Sequence, residues 1–308
     1  MLEQQITRED IRLFNEALER QNAEVVKILN SREYKAGVFL FKLKECILGL
    51  KIKSIRGYFR RIRAMNKTRI TVELDYRNEY TASIDDYFLD GRIAVYTSIF
   101  GKYDLIQEPI FRPNNIDYYI ITDQDVKRDS MWKKREVNIP EKLDNVEKNR
   151  YAKMHADILF PEYEYSIYVD GSIHIISDLT PFVKAIRECG IAVHKHSQRT
   201  CLYEELNSAI TSYKISRKEA DRYRIFLESE GMPIKYGLCE CGIIARKHNN
   251  SICKKVMEDW WVQFSSYIKR DQISLPYVLY KNNITINQVA TLGDNIYRNK
   301  SIRINEHC

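Results

Sequence analysis

The sequence contains neither G-x-G-x-x-G nor G-x-x-x-x-G-K-[ST]. That excludes a dinucleotide fingerprint and a P-loop. It also argues against a sugar nucleotidyltransferase, which would need a glycine-rich phosphate loop near the N-terminus. No apolar run reaches the roughly 18 residues of a membrane-spanning helix. Met1 to Asp10 lacks the apolar core of a secretory leader. No Cys-x-x-Cys pair or matching histidine motif completes a zinc site around Cys239-Glu240-Cys241, with Cys253 further on. Seven cysteines form no regular framework. Reduced thiols and a cytoplasmic protein are expected. Internal repeats and low-complexity stretches are missing as well.

What is present is enough to fold. At 308 residues, 44% of them hydrophobic, the chain can fill one large core or two smaller ones. Its 21 tyrosines suit sugar-handling sites, and equally ordinary cores. The net charge of +7 is unevenly spread. Lys42, Lys44, Lys51, Lys53, Arg56, Arg60, Arg61 and Arg63 face one acid, Glu45. Leu40, Leu43, Ile47, Leu50, Ile52, Ile55, Phe59 and Ile62 run through the same segment as an apolar stripe. A basic amphipathic helix of this kind suits an anionic membrane surface. A helix packed on a neighbouring domain, with a solvated basic face, explains it as well. No nucleic-acid motif accompanies the charge, so no nucleic-acid partner is expected.

Upstream, Thr7-Arg-Glu-Asp10 resembles a capping box, and Ile11, Phe14, Leu18, Val25 and Leu29 follow at helical spacing. Residues 1–66 are thus expected as a helical, basic region. Residues 67–90 form a connecting segment with one strand pattern, Thr68 to Leu74. Residues 91–308 form the main domain.

Within that domain apolar strands alternate with helices. Strands are predicted at Ile93–Thr97, Tyr118–Thr122, Tyr165–Val169 and Ile191–Val193, and helices at Glu147–Phe160 and Leu179–Cys189. A β–α–β progression implies a mostly parallel sheet flanked by helices. Polar residues sit at three strand ends: Thr97 and Ser98, Thr122 and Asp123, and Asp170. Parallel strands gather such ends at one crevice. Asp170 is the most telling, because an acid ending a buried strand is costly without a partner or a ligand. Gly171 beside it would let a ligand approach the backbone. A plain Asp-Gly turn is the simpler account.

Arg150, Lys153 and Asp157 would share a helix face that borders the crevice, where basic groups could meet a diphosphate. His194 and His196 precede Arg199, Tyr203 and Glu205. Asp271 in Arg270-Asp271-Gln272 suits either a helix N-cap or a carboxylate gripping a sugar.

Taken together, these stretches resemble a glycosyltransferase-like family of plant cell-wall and bacterial surface-polysaccharide proteins. The resemblance runs through Val95 to Asp104, Ile121-Thr-Asp123, Arg150-Tyr-Ala-Lys153, Ile167 to Ile173, His196 to Glu205, Gly237 to Arg246 and Arg270-Asp-Gln272. It covers roughly the last two-thirds of the chain. The family looks related to the glycogenin-type enzymes with a GT-A, Rossmann-like fold. The resemblance implies a donor-binding set of Thr97, Tyr103, Asp123, Arg150, Lys153, Asp170, Gly171 and Ser172. It implies His196, Arg199, Tyr203 and Glu205 on the donor or acceptor side, and Asp271 with Gln272 at the transferred sugar. A D-x-D motif would place a divalent metal, Mn²⁺ or Mg²⁺, on Asp170 with help from His307. Here the second acid of that motif is Ser172.

The expected function is transfer of a sugar from a nucleotide-sugar to a glycan or lipid-linked acceptor in surface-polysaccharide (capsule) synthesis, with the enzyme cytoplasmic or peripheral at the inner membrane. The alternative is a non-catalytic glycan-binding or scaffold protein with the same fold.

Overall fold

The computed structural model describes residues 91–305, together with Ser31 and Glu33. The expected helices at 9–30 and 39–63, the strand at 68–74, and His307 lie outside the described residues.

In chain order the elements are β1 (Ile93–Ile99), β2 (Ile116–Thr122), β3 (Lys133–Lys134), α1 (Asn145–Met154), α2 (Ala156–Leu159), β4 (Tyr165–Val169), β5 (Ile173–Ile175), α3 (Thr180–Lys184), β6 (Ile191–Lys195), α4 (Leu202–Thr211), α5 (Arg217–Ser229), β7 (Cys239–Arg246), α6 (Ser251–Ser266), α7 (Asp271–Lys281), α8 (Ile286–Val289) and β8 (Ile302–Ile304). Six strands form one sheet in the order β3-β2-β1-β4-β7-β6. The pairs β1–β2, β1–β4 and β2–β3 are parallel, and β7 runs against both β4 and β6. The mostly parallel α/β sheet predicted from the sequence is therefore present. β5 and β8 pair separately, antiparallel.

All seven residues of β1 are buried, as a central strand covered on both faces requires. Its alternation sorts the core. Ala94 and Tyr96 join the cluster that holds Trp260 and Phe264 of α6, and Ile93 and Val95 join the cluster of Ile167, Val169 and Ile175.

Two predicted helices are corrected. The Glu147–Phe160 helix is two helices with a break at His155, whose φ of −112° and ψ of 45° are not helical. His155 Nδ1 lies 2.8 Å from the Tyr151 carbonyl, and its ring stacks on Tyr151 at 4.1 Å. The side chain so fixed ends the first helix. Asp157 therefore sits on the second helix, apart from Arg150 and Lys153. The Leu179–Cys189 helix spans only Thr180–Lys184.

The end of α1 is locked from beneath. Fully buried Arg246 donates to Lys153 O at 2.7 Å and to Tyr96 Oη at 2.6 Å, and Tyr96 Oη donates to Ala152 O at 3.0 Å. A guanidinium at a helix C-terminus meets free carbonyls and the negative end of the macrodipole. This fixes where Lys153 points.

Candidate active site

A cavity of about 420 Å³ opens beyond the C-terminal ends of β1 and β4, a volume that suits a small-molecule ligand. Asp170, Gly171 and Ser172 follow β4 directly and line it, with Ser98, Tyr103, Asn149 and Arg150. Glu240, Cys241 and Gly242 of β7 and Arg270, Asp271 and Gln272 at the start of α7 complete the wall.

Its anchor is Asp271. The N-cap of α7 is Arg270 rather than Asp271, and no side chain caps it. The Asp271 carboxylate instead turns inward, where Oδ2 meets Lys153 Nζ at 2.7 Å and Arg150 Nε at 2.9 Å. The Arg150 contact is an ion pair without hydrogen-bond alignment. Lys153 is wholly buried and also reaches Asp170 Oδ1 at 3.1 Å. One ammonium thus ties the acid after β4 to the acid opening α7, which are 101 residues apart (271 − 170). Burial by itself would raise the Asp271 carboxyl, but Arg150 and Lys153, with Arg270 behind them, hold it well below the usual carboxylate range. Burial likewise opposes the charge on Arg150, and Asp271 and Asp170 more than restore it.

Gly171 makes this spacing possible. A Cβ there would lie 2.9 Å from both Asp104 Oδ2 and Ile99 Cγ1. The close approach that requires glycine is therefore between parts of this chain.

The remaining predicted residues separate. Tyr103 and Ser172 line the cavity. Thr97 does not: β1 continues to Ile99, so Thr97 points to the other sheet face, beside Ile106 and Trp132, and Ser98 faces the cavity. Lys153 lies behind the cavity wall, holding carboxylates rather than meeting solvent. Asp123 accepts the Gly101 amide at 2.9 Å and fixes the turn after β1, where Gly101 has φ 67°. Tyr203 donates to Met232 O at 2.9 Å and carries Arg224 over its ring, away from the cavity. His196, Arg199 and Glu205 do come together. Arg199 Nε meets Glu205 Oε2 at 2.6 Å, and His196 Nε2 lies 3.7 Å from Glu205 Oε2 and 3.8 Å from Glu240 Oε1. Of the groups they face, Glu240 lines the cavity, and the sequence did not single it out.

Among the described residues, no three His, Cys, Asp or Glu side chains gather as a metal would require. Asp170 has Lys153 against one oxygen, and its D-x-D partner position is the hydroxyl of Ser172. Those donors alone do not fit a divalent cation, which takes about six oxygen ligands.

Residues 51–307 match the TOD1/MUCI70 glycosyltransferase-like domain. The chain belongs to that family. No curated protein matches the chain. It is similar to the apo structure of the bifunctional glycosyltransferase WbbM, at 10% identity over 64% of this chain, with a TM-score of 0.37. It spans 39% of WbbM. It is also similar to the galactosyltransferase LgtC in complex with donor and acceptor sugar analogues, at 12% identity over 61% of this chain and 70% of that one, with a TM-score of 0.36.

Proposed function

We propose that this TOD1/MUCI70-family chain is a glycosyltransferase that moves a sugar from a nucleotide-sugar to a glycan or lipid-linked acceptor in surface-polysaccharide synthesis. The observation that carries this is Asp271, an acid kept ionised by Lys153 and Arg150 at the edge of a strand-end cavity. Such a preorganised carboxylate can hold sugar hydroxyls without reorganising. Arg150 and Arg270 supply positive charge for a departing diphosphate.

The test is calorimetry of the full chain against UDP, GDP, CDP and ADP and their sugars, with and without Mn²⁺. Binding of one nucleotide and its sugar is expected, with Asp271→Asn keeping the binding and losing most turnover. No binding to any of them sinks the proposal. Glycan binding without nucleotide binding would favour the non-catalytic alternative, which Ser172 motivates.

The basic, striped segment 39–63 supports a second part of the proposal, a peripheral contact with anionic membrane at the inner leaflet. Among the described residues, no helix is long and apolar enough to cross a membrane. The full chain should co-sediment with anionic vesicles and not neutral ones, and release partly in high salt, since each Lys or Arg near such a surface contributes about 1 kcal/mol. Equal sedimentation with both vesicle types would remove this part.

A further inference from the structure

Glycosyl transfer leaves one proton to be placed. The acceptor hydroxyl forms a bond to the anomeric carbon, the bond from that carbon to the diphosphate breaks with its electron pair leaving on phosphate, and the hydroxyl proton must go to a base. We propose that Glu240 is that base. The inference rests on the glycosyltransferase reading above.

Four carboxylates line the cavity, Asp104, Asp170, Glu240 and Asp271, and Asp104 stands against Gly171. Asp271 faces two cations at 2.7 and 2.9 Å, so a proton arriving there would displace strong ion pairs. Asp170 already has Lys153 Nζ at 3.1 Å. Glu240 is placed differently. It projects from β7 two residues before Gly242, on the same strand face, and Gly242 O accepts the Asp170 amide at 2.9 Å. Glu240 therefore shares the cavity with Asp170 and Asp271, while its side chain is only 13% exposed.

Its surroundings come from several elements. From the loop after β6, His196 faces it. The Nδ1 of that ring accepts the amides of Gln198 and Arg199, both at 3.1 Å. A neutral ring with Nδ1 accepting carries its proton on Nε2, which points between Glu205 and Glu240. Arg199 Nη2 lies 3.4 Å from that nitrogen. Burial keeps the ring neutral by lowering its basicity, against Glu205 and with Arg199. Glu205 of α4, Arg199 and Lys214 complete the field at Glu240, with the Ser197 amide and the Tyr297 ring nearby. Burial dominates that field and raises the Glu240 carboxyl; the hydrogen bond from the Ser197 amide opposes it most, Glu205 adds to it, and Arg199 and Lys214 oppose it further without reversing it. Two carboxyls pushed apart by their surroundings, one pinned ionised and one held above the ordinary glutamate range, are what acid–base chemistry needs.

Water can replace the acceptor hydroxyl, so hydrolysis of the nucleotide-sugar identified by calorimetry is the assay. Wild type should hydrolyse it with a rate that falls as pH drops through an apparent pKa above the ordinary glutamate range. Glu240→Gln should lower kcat by about 10²-fold or more, as loss of a general base does. It should leave KM and nucleotide affinity within about twofold, and the acid limb should vanish. Formate should partly restore Glu240→Ala. A kcat within about threefold of wild type, or an acid limb that survives in Glu240→Gln, overturns the assignment while the glycosyltransferase reading stands. A wild type that binds nucleotide but hydrolyses no nucleotide-sugar overturns it too. A wild type that binds no nucleotide fails the underlying reading instead.

Discussion

At one end of the cavity Asp271 meets Lys153 at 2.7 Å and Arg150 at 2.9 Å; at the other, Glu240 meets a neutral imidazole at 3.8 Å. Both are mostly buried carboxylates, and burial pushes both upward. The difference is what else is buried with them. Two cations reverse the shift at Asp271, whereas at Glu240 the Ser197 amide, Arg199 and Lys214 oppose the shift without reversing it, and a second acid, Glu205, adds to it. The same side-chain chemistry thus yields an anchor in one place and a proton acceptor in the other. Lys153 explains much of the contrast, because it can be wholly buried only by serving two acids at once.

Removing that lysine is the largest test of the contrast. Lys153→Met leaves Asp271 with Arg150 alone and strips Asp170 of its ammonium. Breaking a buried ion pair from one side costs about 3–5 kcal/mol. Urea unfolding at neutral pH should show a loss in that range. A loss below about 1 kcal/mol would mean that the acids find other partners and that the anchor is weaker than its distances suggest.

Arg150→Ala comes next. Arg150 is the one of the two Asp271 partners that also lines the cavity. Its removal should weaken nucleoside diphosphate binding roughly tenfold or more, the value of a charge-assisted contact to phosphate. Calorimetry checks this. Unchanged affinity would confine Arg150 to holding Asp271.

How much of this contrast the sequence carried differs between its two ends. Asp170 was legible because a buried β-branched and aromatic strand stopped at Asp-Gly, a local signal. Asp271 was legible as Asp-Gln after Arg270, though its alternative role as an N-cap was equally open until the carboxylate was seen turned inward. The mostly parallel sheet followed from alternating strands and helices. The burial of Lys153 was not legible, because a lysine on a helix gives no local sign that an arginine 93 residues later, Arg246, locks that helix end into the core. Thr97 falls inside β1 rather than at its end, because β1 runs two residues further than its apolar pattern suggests, and its neighbour Ser98 is the one that faces the cavity. Glu240 was hidden for another reason. It lies in Cys239-Glu240-Cys241, where the cysteines drew the metal question, and only the antiparallel insertion of β7 beside β4 brings it to Asp170. Pairings between distant strands leave no mark in a local pattern.

Stability against pH should separate the two acids by sign. The Asp271 pKa is depressed in the folded chain, so its contribution is present above the unfolded aspartate value, about 3.9, and is lost as pH falls toward the folded value. The Glu240 pKa is raised, so the folded chain holds its proton longer than the unfolded one, and stability declines as pH rises from about 4.3 through the folded value. At pH 7 Asp271→Asn should therefore destabilise, and Glu240→Gln should stabilise modestly. Thermal unfolding of both variants at pH 4, 5, 6 and 7 tests this. Shifts of the same sign at pH 7 would remove the electrostatic distinction between the two acids.

The smallest test sharpens the Glu240 end without touching the other. Arg199 holds Glu205 through a 2.6 Å contact and opposes the raised Glu240 carboxyl. Arg199→Met would leave the Glu205 charge uncompensated beside Glu240, and would also remove one of the cations that favour ionised Glu240. Both effects make the Glu240 proton harder to lose. The acid limb of hydrolysis should therefore move to higher pH, by roughly one unit or less, since one unit already represents about 1.4 kcal/mol of differential interaction. Nucleotide affinity, which depends on the Arg150 and Asp271 end, should stay the same. If the limb moved to lower pH, protonation of Glu205 or a rearranged His196 would be setting it. If nucleotide affinity fell together with the limb, the two ends of the cavity would be one coupled network rather than two environments.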